Sequence, residues 1–267
     1  MNETLKRSLS GAVYILLLIT SIQYSTVTFF ILFGIFLLLA VSEFCELIQI
    51  KKIIPLFLSA VIFVLFYYLK TDRIIDVLVL TFSLLVSIKL IVFLFSTIQK
   101  PIENYLKYIY ILGYLILPFV FITKIPFGIK GYNPKIIISI FILIWTNDTF
   151  AFIVGKSIGK NKLFEIVSPK KTIEGFIGGI VFGVIASLLI SKFYIEGATT
   201  IWIIIALIVG VFGTIGDLIE SKFKRVAGVK DSGKIMPGHG GVLDRLDSVI
   251  FVAPFVFLFY QILYYVS

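Results

Sequence analysis

Two aspartates three residues apart, Asp244 and Asp247, close a stretch of unusually mixed chemistry in an otherwise apolar chain. The stretch runs Gly216-Asp217-Leu218-Ile219-Glu220-Ser221-Lys222-Phe223-Lys224-Arg225, then Val229-Lys230-Asp231-Ser232-Gly233-Lys234, then Pro237-Gly238-His239-Gly240-Gly241-Val242-Leu243-Asp244-Arg245-Leu246-Asp247. Residues three apart on a helix share a face. A pair of carboxylates placed that way suits Mg2+ shared with substrate phosphates. Gly238, Gly240 and Gly241, flanking His239, allow backbone N–H groups to approach an anion closely. A solvated loop with ordinary ion pairs is the alternative. Asp247 fits that alternative poorly, because a long apolar segment follows it directly.

Two further polar clusters lie upstream. Trp145-Thr146-Asn147-Asp148-Thr149 interrupts an apolar run. An aspartate near the centre of a membrane helix costs about 2.5–3.5 kcal/mol, so Asp148 should face a cavity or a partner, unless it marks a helix end reaching water. Ser168-Pro169-Lys170-Lys171-Thr172 precedes another apolar run. Ser then Pro reads as an N-cap and first helical position, which puts Lys170 and Lys171 in the first turn. Cations there oppose the helix dipole, while a helix N-terminus attracts anions, so the two lysines suggest an anion site. Flanking of a membrane helix by cytoplasmic positive charge would produce the same residues. Gly175, Gly179 and Gly183 continue at four-residue spacing, a pattern of close helix packing. There is no G-x-x-x-x-G-K-[ST] loop and no G-x-S-x-G elbow, so phosphate is not handled by a P-loop. A single histidine excludes a multi-histidine metal site, and a single cysteine, Cys45, excludes an intrachain disulfide.

The elements that must position these clusters are membrane helices. The 267 residues are 59% hydrophobic and only 15% charged, with a mean hydropathy of +1.08. A soluble domain has roughly a quarter charged residues, so lipid must be part of the solvent. Nine apolar runs are candidate spans: Leu9–Ile22, Val27–Val41, Ile54–Leu69, Ile74–Phe95, Tyr108–Ile122, Ile136–Val154, Ile173–Phe193, Ile201–Ile215 and Ser248–Tyr265. Only Gln23–Thr26 separates the first two, which could form a tight hairpin or a re-entrant element. The expected fold is an all-α polytopic membrane protein of about nine transmembrane helices. Residues 1–130 would be scaffold helices and 131–267 a catalytic membrane region.

Lys and Arg accumulate in cytoplasmic loops. With nine spans, the N-terminus and the even-numbered loops hold 17 of the 24 Lys and Arg residues, and the opposite loops hold 6. The N-terminus is therefore expected in the cytoplasm and the C-terminus outside. All four polar clusters would then meet at one cytoplasmic pocket. The formal net charge of +9, with no nucleic-acid motif beside it, points to lipid and phosphate as partners. An ion-coupled transporter is a rival reading for buried acids, but its charges should lie near the midplane.

The segment from Ser221 through Asp247 resembles the signature of the phosphatidate cytidylyltransferases (CDP-diacylglycerol synthases). Asn147-Asp148 and Ser168-Pro169-Lys170-Lys171-Thr172 through Gly175 are similar to that family's upstream motifs, so the resemblance covers roughly residues 140–255. It implies condensation of CTP with phosphatidate to CDP-diacylglycerol and pyrophosphate at a cell (inner) membrane. The implied cofactor is Mg2+, with K+ as a second cation. Implied partners are CTP, phosphatidate and membrane lipid, with a homodimer admitted and no nucleic acid. It assigns Asp217, Asp244 and Asp247 to the metal, with Asp231 a further candidate. Lys170, Lys171, Lys224, Arg225, Lys230, Lys234 and Arg245 would share the phosphates. Asn147, Asp148, Ser168, Ser232, Gly238, Gly240 and Gly241 would help to bind substrate, and His239 would orient the glycine turn or a phosphate. A CTP-dependent lipid kinase is the neighbouring alternative. Removing the charge of Asp244 or Asp247 is expected to leave the fold level or more stable.

The charge asymmetry predicts that a topology reporter fused after Ser267 is active outside the cytoplasm and one inserted near Lys162 is active inside. Finding both on one side would overturn the span count.

Overall fold

The computed structural model describes residues 3–69, 72–96, 102–128, 131–236, 238 and 240–266. Among these residues the chain forms nine helices: α1 (Glu3–Tyr24), α2 (Thr26–Leu47), α3 (Ile53–Tyr68), α4 (Arg73–Phe95), α5 (Asn104–Lys124), α6 (Pro134–Ile158), α7 (Ile173–Tyr194), α8 (Thr199–Val226) and α9 (Leu243–Val266). Seven of them are long and apolar enough to cross a membrane, and α1 and α3 are shorter apolar helices by the same measure. Each apolar run of the sequence falls on its own helix. Two short antiparallel hairpins complete the described structure: β1 (Phe127–Gly128) with β2 (Gly131–Tyr132), and β3 (Lys162–Phe164) with β4 (Ser168–Thr172).

Caps decide where several helices begin and end. The first two runs form two separate helices. Ser25 separates them with a reciprocal capping box, in which its hydroxyl accepts from the Thr28 N–H and the Thr28 hydroxyl accepts from the Ser25 N–H. Asn133 caps α6, with Pro134 at its first position. Helix α8 ends in a Schellman turn: Gly228 N–H donates to Arg225 O, Val229 N–H donates to Lys224 O, and Gly228 takes φ +72°. That turn folds the following segment back over the end of the bundle.

The expectation for Ser168-Pro169 is corrected. These residues open β4, not a helix. Thr172 is the N-cap of α7, its hydroxyl accepting from Gly175 N–H at 3.1 Å. Pro169, which has no N–H to give, is compatible with this edge of a two-stranded ladder, and Glu174 anchors the hairpin by accepting from the Asn161 backbone and side chain. Lys170 and Lys171 therefore lie on an extended segment ahead of the helix dipole, not in its first turn.

Helices α6, α7 and α8 pack through glycine. A Cβ on Gly179 would lie 2.7 Å from Asn147 Oδ1 and 2.8 Å from Asn147 O, and one on Gly175 would lie 2.5 Å from Ala151 O. The N-terminal half is not a separate layer. Phe223 of α8, 2% exposed, packs against Phe44, Phe93, Tyr110 and Tyr114. Beside it, Lys222 donates to Ser96 O at the end of α4.

Gly179→Ala should lower the thermal midpoint in detergent, because overpacking costs about 1–3 kcal/mol. Gly183→Ala meets nothing within 4 Å, so helix propensity should leave it neutral or stabilising by up to about 1 kcal/mol. Equal midpoints for the two variants would contradict this packing.

Candidate functional site

The C-terminal parts of α6 and α8, the β3–β4 hairpin and the starts of α7 and α9 meet at one end of the bundle. They enclose an open cavity of about 760 Å³. Eight basic and five acidic residues line it, a surplus that suits a polyanion. The bases are Lys156, Lys162, Lys170, Lys171, Lys224, Arg225, Lys230 and Arg245, and the acids are Asp148, Asp217, Asp231, Asp244 and Asp247. Residues separated by nearly a hundred positions thus share one wall, as the helix directions required.

Close approach of α8 and α9 sets the acidic side of the cavity. A Cβ on Gly216 would lie 2.6 Å from Phe251 Cβ and 2.8 Å from Asp247 O. Glycine at 216 therefore brings Asp217 and Asp247, from different helices, to the same wall. Asp217 pairs with Lys171 at 2.5 Å and accepts from Ser221 Oγ at 3.3 Å. Asp247 accepts from Ser248 N–H at 2.7 Å, and Asp148 lines the same cavity. Three carboxylates sharing a wall repel one another and attract cations.

Asp244 is held differently. Its Oδ2 accepts from Ser232 N–H (2.9 Å), Ser232 Oγ (2.8 Å) and Gly241 N–H (2.8 Å), and its Oδ1 accepts from Lys224 Nζ at 2.6 Å. Lys224 also forms an ion pair with buried Glu220, one turn earlier on α8. The anion that the glycine turn receives is thus the protein's own Asp244. Gly240, at φ +88°, is required there, since a Cβ would sit 2.5 Å from Asp244 Oδ2. Gly238 also takes a positive φ, of +77°.

Of the residues singled out in the sequence, some stand apart from the cavity lining. Asn147 is buried between Gly179 and Gly210. Ser168 begins β4, and Ser232 is buried against Asp244 and Glu43. Lys234 is exposed on the segment after Ser232. His239 lies outside the described residues. Sequence reasoning missed Glu43 and Glu220. Glu43 sits in the half read as scaffold, and only its place four residues before the end of an apolar helix hinted at a partner.

Among the described residues, no three acidic, histidine or cysteine side chains converge as a metal cage. Mg2+ is commonly bound through one or two carboxylates plus substrate phosphates, keeping several waters. The wall of Asp148, Asp217 and Asp247 fits that mode. Asp244, whose Oδ2 accepts three hydrogen bonds and whose Oδ1 is held by Lys224, fits it less well than Asp217, whose oxygens have one contact each.

The cytidylyltransferase family model matches residues 5–263. The chain is 49% identical over 116 residues to the phosphatidate cytidylyltransferase of Staphylococcus haemolyticus, covering 43% of this chain and 44% of that protein. It is 50% identical over 116 residues to the protein of that name from Staphylococcus aureus strain COL, with the same coverage. Against the Staphylococcus epidermidis protein it is 47% identical over 122 residues, or 45% of this chain and 46% of the relative. The matched segment spans less than half the length of each relative.

These contacts reverse one expectation. Asp244→Asn should destabilise the protein, because its amide NH2 must face either Lys224 Nζ or the Ser232 and Gly241 N–H groups, donor against donor, and leaving buried donors unmet costs about 1–3 kcal/mol each. Asp247→Asn should leave the midpoint level or raise it, by relieving like charge. Thermal unfolding of both variants without divalent metal checks the opposite signs.

Proposed function

The chain belongs to the cytidylyltransferase family, and on that premise we propose that it is an integral membrane phosphatidate cytidylyltransferase. It condenses CTP with phosphatidate to give CDP-diacylglycerol and pyrophosphate. The observation that carries the reading is the cavity itself, a basic-rich recess lined also by five carboxylates at one end of an apolar bundle. A nucleoside triphosphate and a lipid phosphate are both polyanions, and a site at the end of the bundle lets acyl chains stay in lipid while the phosphates meet. Charges gathered at that end also disfavour a transporter, whose sites lie near the midplane.

In the proposed reaction a phosphate oxygen of phosphatidate attacks the α-phosphorus of CTP. A new P–O–P bond forms, and the α–β bridging bond breaks to release pyrophosphate. The nucleophile needs no general base, because the second pKa of a phosphate monoester is about 6. The barrier is the meeting of two anions, so positioning and charge neutralisation supply the catalysis. Lys170, Lys171, Arg225, Lys230 and Arg245 line the cavity and would hold the phosphates. Lys224, committed to Glu220 and Asp244, would chiefly orient Asp244. Asp217 and Asp247, with Asp148 beside them, would hold Mg2+, which neutralises phosphate charge when bound. Asp231 stands at the exposed rim. K+ as a second cation and a homodimer belong to the same proposal. So does a topology of nine spans, with the site facing the cytoplasm and the C-terminus outside, supported by the charge asymmetry of the loops.

The test supplies CTP labelled in the cytidine, with phosphatidate, Mg2+ and the detergent-solubilised chain. Labelled CDP-diacylglycerol and pyrophosphate should appear, and Asp247→Asn should reduce turnover by about two orders of magnitude or more. Release of labelled CDP with a newly phosphorylated lipid would instead identify a lipid kinase.

A further inference from the structure

Glu43, on α2, is 3% exposed and does not line the cavity, yet its carboxylate is answered entirely by the segment that does. Val242 N–H donates to Oε1 at 3.0 Å, and Leu243 N–H donates to Oε2 at 2.8 Å. Ser232 Oγ lies 3.3 Å from Oε2, and the same hydroxyl contacts Asp244 Oδ2 at 2.8 Å. These donors are the N-terminal amides of α9 and the residue directly after Asp231. A helix N-terminus leaves its first amides without internal partners, and a carboxylate there is favoured by the dipole. Two glycines make room for it. A Cβ on Gly233 would lie 2.4 Å from Glu43 Oε1, its three nearest atoms all belonging to Glu43. A Cβ on Gly241 would lie 2.4 Å from Oε2.

We infer that Glu43 is a positioning residue for the proposed transfer, a clamp from the N-terminal half that fixes Ser232, Gly233 and the start of α9 so that Asp231, Asp244 and Asp247 keep their places around the cavity. This rests on the cytidylyltransferase reading for its kinetic consequence, but not for its geometry. The clamp explains two features together: a buried acid near the end of an apolar helix, and glycine at 233, where φ is not positive. Gly233 is required by the space that Glu43 occupies and not by backbone conformation.

Glu43→Gln keeps the volume but sets an amide NH2 against one of two backbone donors. Per folded molecule, kcat for CTP and phosphatidate should fall about 100-fold, the scale of a ~1 Å misplacement. The thermal midpoint should drop by only a few degrees, and amide hydrogen exchange should rise in peptides spanning 229–246 and not elsewhere. A purely structural role would instead lower the midpoint and the folded fraction while kcat per folded molecule stayed at the parent value. A double-mutant cycle covers poor folding of the Gln variant. Gly233→Ala should cost at least roughly tenfold in kcat in the parent and less than about twofold in the Glu43→Ala background, where the obstructing carboxylate is gone. Equal costs in both backgrounds, or a Gln variant with parental kcat and exchange, would overturn the clamp. A parent chain that makes no CDP-diacylglycerol would overturn the functional reading alone, since exchange at 242 and 243 still decides whether Glu43 holds those amides.

Discussion

Lys224 carries its ammonium into a junction where two acids wait for it, Glu220 on its own helix and Asp244 at the start of the next. Charges in such a place are costly unless each is paired and hydrogen-bonded. Here one cation answers two carboxylates, and Ser232 and Gly241 supply the remaining donors to Asp244. The network ties Ser232 and Gly241 to the start of α9. The Schellman turn at Gly228, the left-handed glycines 238 and 240, and the approach of α8 to α9 at Gly216 all serve the same closure.

The N-terminal half takes part in that closure. Glu43 reaches the amides that open α9, and the aromatic cluster around Phe223 fixes the last turn of α8 against α2, α4 and α5. A boundary near residue 130 therefore separates chemical character more than mechanical role. Helices that read as plain lipid-facing scaffold supply one of the acids on which the polar end of the bundle rests.

Around the cavity Lys156, Lys162, Lys170, Arg225, Lys230 and Arg245 are exposed, as are Asp148 and Asp231, while Lys171, Lys224, Asp217, Asp244 and Asp247 are less so. Long basic side chains can gather an anion from water at low cost, because their stems lie along apolar surface and their heads stay solvated. The shorter aspartates need a backbone that brings them together, which is why small residues, Gly216 above all, stand beside them.

The sequence by itself determined the helices and the end of the bundle where the chemistry gathers. Apolar runs of membrane length have few alternatives to helix in lipid, and alternating helix direction places the ends near 155–172 and 217–247 on one side. It also marked the polar residues of that end, since acids and bases in so apolar a chain are conspicuous. What it left undecided were the individual partnerships. Asp244 and Asp247 look equivalent three residues apart, yet one is bound by Lys224, Ser232 and Gly241 and the other accepts from Ser248 N–H and lines the cavity with Asp217 and Asp148. Ser168 and Pro169 carry the signature of a helix start but pair in a hairpin, because Thr172 caps the helix better placed by Glu174 and Asn161. Glu43 meets amides 199 and 200 positions away. Local pattern reports what a residue can do with its near neighbours, whereas a buried charge is satisfied by whichever donor the packed helices deliver, and only the tertiary structure decides that.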